Sequence, residues 1–395
     1  MKGRSRVLMG VLLILAWASR AEAQDPVSLY ERAVERASAG DRTAALRLLD
    51  SVARSPGGLD PGFHRAFIPY HDYPAFRRIV ARIRDANPPV VRSTIAWTIG
   101  ERDLHPEGIA FDPVSRSTFV GSFKGKIVRI DSTGHATDFA WVSRPEAPRV
   151  VVGVRVDAER RHLWAAVDDP RAFADASVEG ASLVRFDIAT GRVLAAYRGA
   201  RGAFNDLVVA PDGSAYATNT TDGSIWRVAP GRRLEQFLPP GSVNGANGIT
   251  DSPDGRWLFV AGAYGIARIE VRTRTLHALG APMGIVLGSF DGLYWHEGGL
   301  VGIQNGIHPG RVVRLKLDAA RDRVSRFEIL EQYHPRFGGM TTAALDGNSL
   351  LYLVNTQSRS FDDDGRPKPG VTLQELLIAR VPLSGGPVTT RPTPP

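Results

Sequence analysis

The chain has 395 residues, 43% of them hydrophobic and 23% charged, with 41 glycines, 27 prolines and no cysteine. This is globular material with many turns and enough apolar residues for a sizeable core, and the missing cysteine excludes disulfides, thiolate metal sites and cysteine nucleophiles. The formal charge of +8 is not a nucleic-acid footprint: Lys2, Arg4, Arg6 and Arg20 against Glu22 account for +3 of it, and the remainder is mixed with acidic residues along the chain.

Residues 1–24, "MKGRSRVLMGVLLILAWASRAEAQ", combine a basic start, an apolar run from Val7 to Trp17 and a small-residue "AEA" before Gln24. That pattern predicts a cleaved secretory signal, and hence a periplasmic or secreted protein. The competing reading, a membrane anchor, needs a span of about 20 apolar residues, and the run is well short of that.

Residues 25–92 predict a small helical segment. Asp25 and Pro26 open a first helix with Val27, Tyr30, Val34 and Ala37 at helical spacing, ended by Gly40. Asp41 caps a second helix whose apolar face is Ala44, Ala45, Leu48, Leu49 and Val52, and Phe76, Ile79, Val80 and Ile83 mark a third from Pro74 to Ala86. The first pair resembles one tetratricopeptide-type hairpin, too few for a repeat array.

From residue 93 to 386 the texture is all-β. Short runs rich in Val, Ile, Phe, Tyr and Trp alternate with Asp-Gly, Pro-Asp-Gly and Thr-Gly turns. The runs also repeat: "EGIAFDPVSRSTFVGS" at 107, "VGVRVDAERRHLWAAV" at 152, "NDLVVAPDGSAYATNT" at 205, "NGITDSPDGRWLFVAG" at 247, "DGLYWHEGGLVGIQNG" at 291 and "GMTTAALDGNSLLYLVNT" at 339 share a strand, turn, strand plan. Their starts lie 45, 53, 42, 44 and 48 residues apart, the period of a four-stranded propeller blade, so six units predict a six-bladed β-propeller. The sixth unit lacks a fourth strand, and "STIAWTIG" at 93–100 fits the gap, which predicts closure of the ring by the N-terminal strand. Residues 387–395, rich in proline and threonine, are expected to be a disordered tail.

In a propeller the innermost strand of each blade lines the central channel, so the residues that begin it sit at one mouth. Glu107, Asn205, Asn247 and Asp291 begin blades 1, 3, 4 and 5. Two carboxylates and two amide oxygens form an all-oxygen set that suits one calcium ion, with magnesium or manganese able to take the same shell. Taken singly, Asn and Asp before Gly are ordinary turn formers. Recurring at equivalent places in four repeats, with a Glu in "HPEG" that no turn prefers, they point to a metal. Asp291 is the candidate general base for water attack. His105 is a candidate proton carrier or substrate contact, against the commoner reading of an isolated histidine as structural. Asp206 is expected to alternate away from the channel, orienting Asn205 or serving as a turn carboxylate.

These motifs carry a family resemblance. "HPEGIAFD", "FNDLVVAPDGSAYATN", "ANGITDSPDGRWLFVA" and "FDGLYWHEGGLVGIQNG" resemble, in order, the first-blade Glu, central Asn-Asp, Asn-Gly and Asp-Gly motifs of the gluconolactonase and regucalcin (senescence marker protein) superfamily of six-bladed, calcium-dependent propeller hydrolases, to which the paraoxonases are more distantly similar. The resemblance implies Glu107, Asn205, Asn247 and Asp291 as calcium ligands, Asp291 as base, and a small lactone or ester as substrate. Two departures stand out. Ala203 replaces the Arg of the sugar-lactonase branch, and "VVVGVRVD" lacks the His of the paraoxonase branch. A non-catalytic, calcium-stabilised propeller that binds a small ligand or protein is the alternative function.

Overall fold

The computed structural model describes residues 26–54, 59–144, 146–282, 284–362 and 365–384. The predicted leader, the Asp25 cap and the predicted tail lie outside the described residues. The chain divides into two units, one running to Pro88 and including Pro282–Val286 and Ile307–Pro309, the other holding Pro89–Ala281, Leu287–Gly306 and the residues from Gly310 onward.

In the first unit, α1 (Pro26–Ser38), α2 (Arg42–Val52) and α3 (Pro74–Ala86) follow the predicted spacing. The Asp41 carboxylate accepts the Ala44 amide at 3.1 Å, satisfying one of the free N–H groups at the start of α2. Phe76, Ile79, Val80 and Ile83 are all buried, packed with Ala45, Leu49, Phe67 and Tyr70. No helix among the described residues is long and apolar enough to cross a membrane.

The second unit is a six-bladed β-propeller of six antiparallel four-stranded sheets. The strands of blade 1 span Pro106–Asp112 (β2), Ser117–Ser122 (β3), Lys126–Ile130 (β4) and Ala136–Trp141 (β5). Blade 2 follows with Val150–Asp157 (β6), His162–Asp168 (β7), Ala181–Asp187 (β8) and Val193–Ala200 (β9). The innermost strands of blades 3, 4, 5 and 6 are Phe204–Val209 (β10), Ile249–Asp251 (β14), Phe290–His296 (β18) and Ala343–Asp346 (β22). The sheet of blade 6 is completed by Ser349–Leu353 (β23), Leu376–Pro382 (β24) and, from the other end of the chain, Thr94–Ile99 (β1). β1 pairs with β24 in the register Thr94 with Arg380 through Ile99 with Leu376. The lead-in to β1 is held by Val90 bridging Gln332 and by the Glu331 carboxylate, which accepts the amides of Arg92 (2.6 Å) and Ser93.

Apolar layers between neighbouring sheets hold the ring. Phe119, Ile127, Leu163, Val167 and Phe186 fill the space between blades 1 and 2, and Ile109, Val120, Leu351, Leu353 and Ile378 that between blades 6 and 1. Nearer the axis the inner strands come so close that side chains must vanish. A Cβ on Gly108 would lie 2.0 Å from the Val152 carbonyl, and one on Gly153 would lie 2.5 Å from the Asn205 carbonyl. Because backbone rather than a flexible side chain stands in the way, Gly108→Ala is expected to destabilise the protein by about 1–3 kcal/mol or more. A fall in urea midpoint at unchanged slope would show this; an unchanged midpoint would contradict the packing described.

Candidate metal and catalytic site

The blade-starting residues owe their aim to a shared backbone irregularity. In β2 the register jumps from Pro106 opposite Ser122 to Ile109 opposite Val120, one residue too many on the inner strand. The same surplus falls between Val151 and Val154, between Phe204 and Leu207, and between Phe290 and Gly292. Each is a bulge, which interrupts alternation and re-aims the side chains within it. Glu107, Val152, Asn205 and Asp291 all sit in these bulges. Asn247 lies just before β14, its backbone N–H donating to the Ala261 carbonyl at 2.9 Å. In blade 6 the hydroxyls of Thr341 and Thr342 both donate to the Glu107 carbonyl, at 2.8 and 2.7 Å, tying the last inner strand to the first.

Electrostatically, Glu107 and Asp291 face the same space. Burial, and then the Asp291 charge, push the Glu107 carboxyl well above the usual carboxylate range. The Asp291 carboxyl is raised to about 6, chiefly by burial; bonds from Asn305 and Asn247 pull it down, and the nearby Asp206 charge pushes it up. Asn305 Nδ2 bridges Asp291 Oδ2 and the Met340 carbonyl (2.7 Å). Asn247 directs its amide group toward Asp291, yet its Oδ1 is buried without a hydrogen-bond partner. Asn205 is partly exposed in the same ring of positions. Two carboxylates that repel one another and an orphaned amide oxygen are a donor set suited to a hard cation. Among the described residues no group of three or more His, Asp or Glu is gathered for a metal, so any ion here relies on the amide oxygens.

Two participants, Asn305 and Arg155, were not read from the sequence. Asn305, in "IQNG" after the second strand of blade 5, could have been sought as the amide across the hairpin from Asp291. Arg155, on β6, reaches across the axis: its Nε donates to the Leu207 carbonyl at 2.6 Å and its Nη2 to Asp206 Oδ2 at 3.0 Å, with its guanidinium carbon 4.5 Å from the centre of the Tyr294 ring. The Tyr294 hydroxyl accepts the Ala343 amide of blade 6 at 2.7 Å. Burial alone would depress the Arg155 guanidinium, but Asp206 and Tyr294 more than offset this and raise it. Asp206 therefore corrects the expectation of a carboxylate turned outward. The bulge at 205–206 breaks the alternation, and Asp206, 3% exposed, also accepts the Ile249 amide at 3.2 Å.

His105 is placed differently from Glu107. Its ring is stacked between Phe123 (centroids 4.5 Å apart) and Phe361 (4.1 Å, planes 1° apart), and its Nδ1 has no partner. Burial lowers its pKa to about 4, so the imidazole is neutral at pH 7 and has no proton to give as an imidazolium. Tyr294 and Phe290 are buried, and Trp295 packs against Phe259.

Asp168 closes β7 opposite Val150, whereas the second strands of blades 3 and 5 close on amides, Asn219 opposite Phe204 and Gln304 opposite Phe290. Those amides donate to the carbonyls of Arg201 and Gly288, each at 2.6 Å. Asp168 is fully buried, and burial raises its carboxyl well above the usual range, against the opposing pull of the Phe204 and Ser182 amides and the Arg149 charge. The folded state thus holds this proton more tightly than the unfolded chain does. The resulting stability is complete below the unfolded carboxyl range near pH 4 and is lost as pH rises toward the folded value, by up to about 1.4 kcal/mol per pH unit. Asp168→Asn should accordingly raise the melting temperature at pH 8 and change it little at pH 4. An equal shift at both pH values would contradict a protonated Asp168.

No protein-family model matches the chain, and no curated protein matches it. Among solved structures, the chain is similar to the PQQ-bound aldose sugar dehydrogenase of Streptomyces coelicolor (16% identity, 74% of this chain and 99% of that one, TM-score 0.49). It is also similar to virginiamycin B lyase from Staphylococcus aureus (13% identity, 73% and 98%, TM-score 0.47) and to U3-55K (10% identity, 75% and 100%, TM-score 0.50). At such identities a likeness concerns the fold alone.

Proposed function

We propose that the protein is an exported, calcium-dependent hydrolase of lactones or related esters. One observation carries the reading: Glu107 and Asp291 begin two inner strands with both carboxyls raised and the Asp291 charge acting on Glu107, and Asn247, which bonds Asp291, has an unpartnered Oδ1. Glu107, Asn205, Asn247 and Asp291 would hold the ion. Bound calcium supplies a Lewis acid for a carbonyl oxygen. Asp291, fixed through Oδ2 by Asn305, takes a proton from water as general base. Thr341 and Thr342 hold the Glu107 backbone, and the neutral His105, enclosed between the Phe123 and Phe361 rings, adds no charge.

A second reading, a propeller that binds calcium and a small ligand without chemistry, is favoured by "VVVGVRVD", which lacks the His of one resembled branch, and by Ala203, which stands where the other carries Arg. Purified protein, with and without chelator, should be offered γ- and δ-lactones, aryl esters and phosphotriesters. We expect lactone or ester turnover that disappears on chelation and returns with calcium. Calcium binding with no turnover across the panel would instead establish the binder.

A further inference from the structure

Blade 2 begins with Val152 and so offers no ligand, yet it sends the most widely bonded side chain on the axis toward its neighbours. The Arg155 guanidinium donates to the Leu207 carbonyl (2.6 Å), the Ile249 carbonyl (3.2 Å), the Leu293 carbonyl (3.4 Å) and the Asp206 carboxylate (3.0 Å). Leu207, Ile249 and Leu293 each stand two residues after a blade-starting residue: Asn205, Asn247 and Asp291. A single fork therefore grips the inner strands of blades 3, 4 and 5 at the same offset from each candidate ligand. The ring contact of Arg155 with Tyr294, and the Tyr294 bond to the Ala343 amide, extend the grip to blade 6. From blade 6, Thr341 and Thr342 reach the Glu107 backbone.

We propose that Arg155 is a positioning residue that sets the mutual register of the metal ligands. This rests on the calcium reading above. Strand spacing in a propeller is otherwise set by packing between sheets, which fixes a strand's distance from its neighbours better than its slide along the axis. A planar donor fork bound to three successive carbonyls fixes the slide as well. Lysine, a point charge without the fork, cannot satisfy the same acceptors. The Asp206 carboxylate balances the Arg155 charge, so Arg155→Met alone leaves a buried anion; the paired change Arg155→Met with Asp206→Asn removes both charges together.

The test is calorimetric titration of calcium into the full-length protein, with the melting temperature of each variant measured in chelator. Wild type should bind one ion. Arg155→Lys and the Arg155→Met, Asp206→Asn pair should bind it about 10–100-fold more weakly, and the melting temperatures in chelator should change far less than a loss of that size would require if it arose from unfolding. Should the double variant fail to fold, the lysine variant, which keeps the charge, decides alone. Binding by either folded variant within about twofold of a wild type that does bind overturns the clamp and leaves the calcium site standing. No calcium binding by wild type overturns both.

Discussion

Replacing Asp291 by Asn is expected to lower the turnover of the best lactone by at least about 10²-fold, the usual contribution of a positioned general base. The change keeps the shape of the side chain and an oxygen at its tip, but an amide cannot accept a proton from water. Burial is the larger cause of the raised Glu107 carboxyl and stays, but the change removes the Asp291 charge that adds to it, so Glu107 should titrate somewhat closer to an ordinary carboxyl in the variant. Calcium affinity should fall as well, because one of two anionic donors is lost. Assays at saturating calcium separate the two effects: turnover stays low even when the ion is bound. Wild-type turnover by Asp291→Asn at saturating calcium would remove Asp291 from the role of base.

The second large effect is a coupling of pH, calcium and stability. In chelator, the raised carboxyls of Glu107 and Asp291 mean that the folded protein binds protons more tightly than the unfolded chain. Their stabilising contribution is complete below about pH 4 and is lost as pH rises through about 6, the folded value for Asp291. At pH 7.5 the pair is a source of strain that a cation relieves. Calcium at a hundred times its dissociation constant should add about 2.7 kcal/mol, several degrees of melting temperature. The gain should shrink below about pH 6, where protons compete for the same oxygens. Glu107→Gln should melt at or above the wild-type temperature in chelator at pH 7.5 and show no calcium gain. A variant less stable than wild type in chelator would mean that Glu107 is held by partners other than a cation.

The blades were legible because their signal is local. Each repeat carries a strand, a Gly-containing turn and a second strand, and the fourth strand missing after Pro382 pointed to the run at Thr94–Ile99 that pairs with β24. The helix faces were equally plain, since Phe76, Ile79, Val80 and Ile83 follow helical spacing and all four are buried. What strict alternation hid was the channel interior. A bulge at 205–206 turns Asp206 inward, and Arg155 looks in sequence like any charged residue on a strand, "VGVRVD", although its partners lie 51, 52, 94 and 138 residues away. Asn305 was overlooked because its importance depends on pairing across the hairpin, with Gln304 opposite Phe290. His105 adjoins a site motif in sequence, but the rings that enclose it come from Phe123 and Phe361, the latter in the long connection between β23 and β24.

The most direct test is a crystal structure grown with calcium. One ion is expected at the channel mouth, with oxygens of Glu107, Asn205, Asn247 and Asp291 about 2.3–2.6 Å away and Asn305 still bonded to the far oxygen of Asp291. Crystals in saturating calcium that show no ion there, with Glu107 and Asp291 instead sharing a proton, would contradict the account.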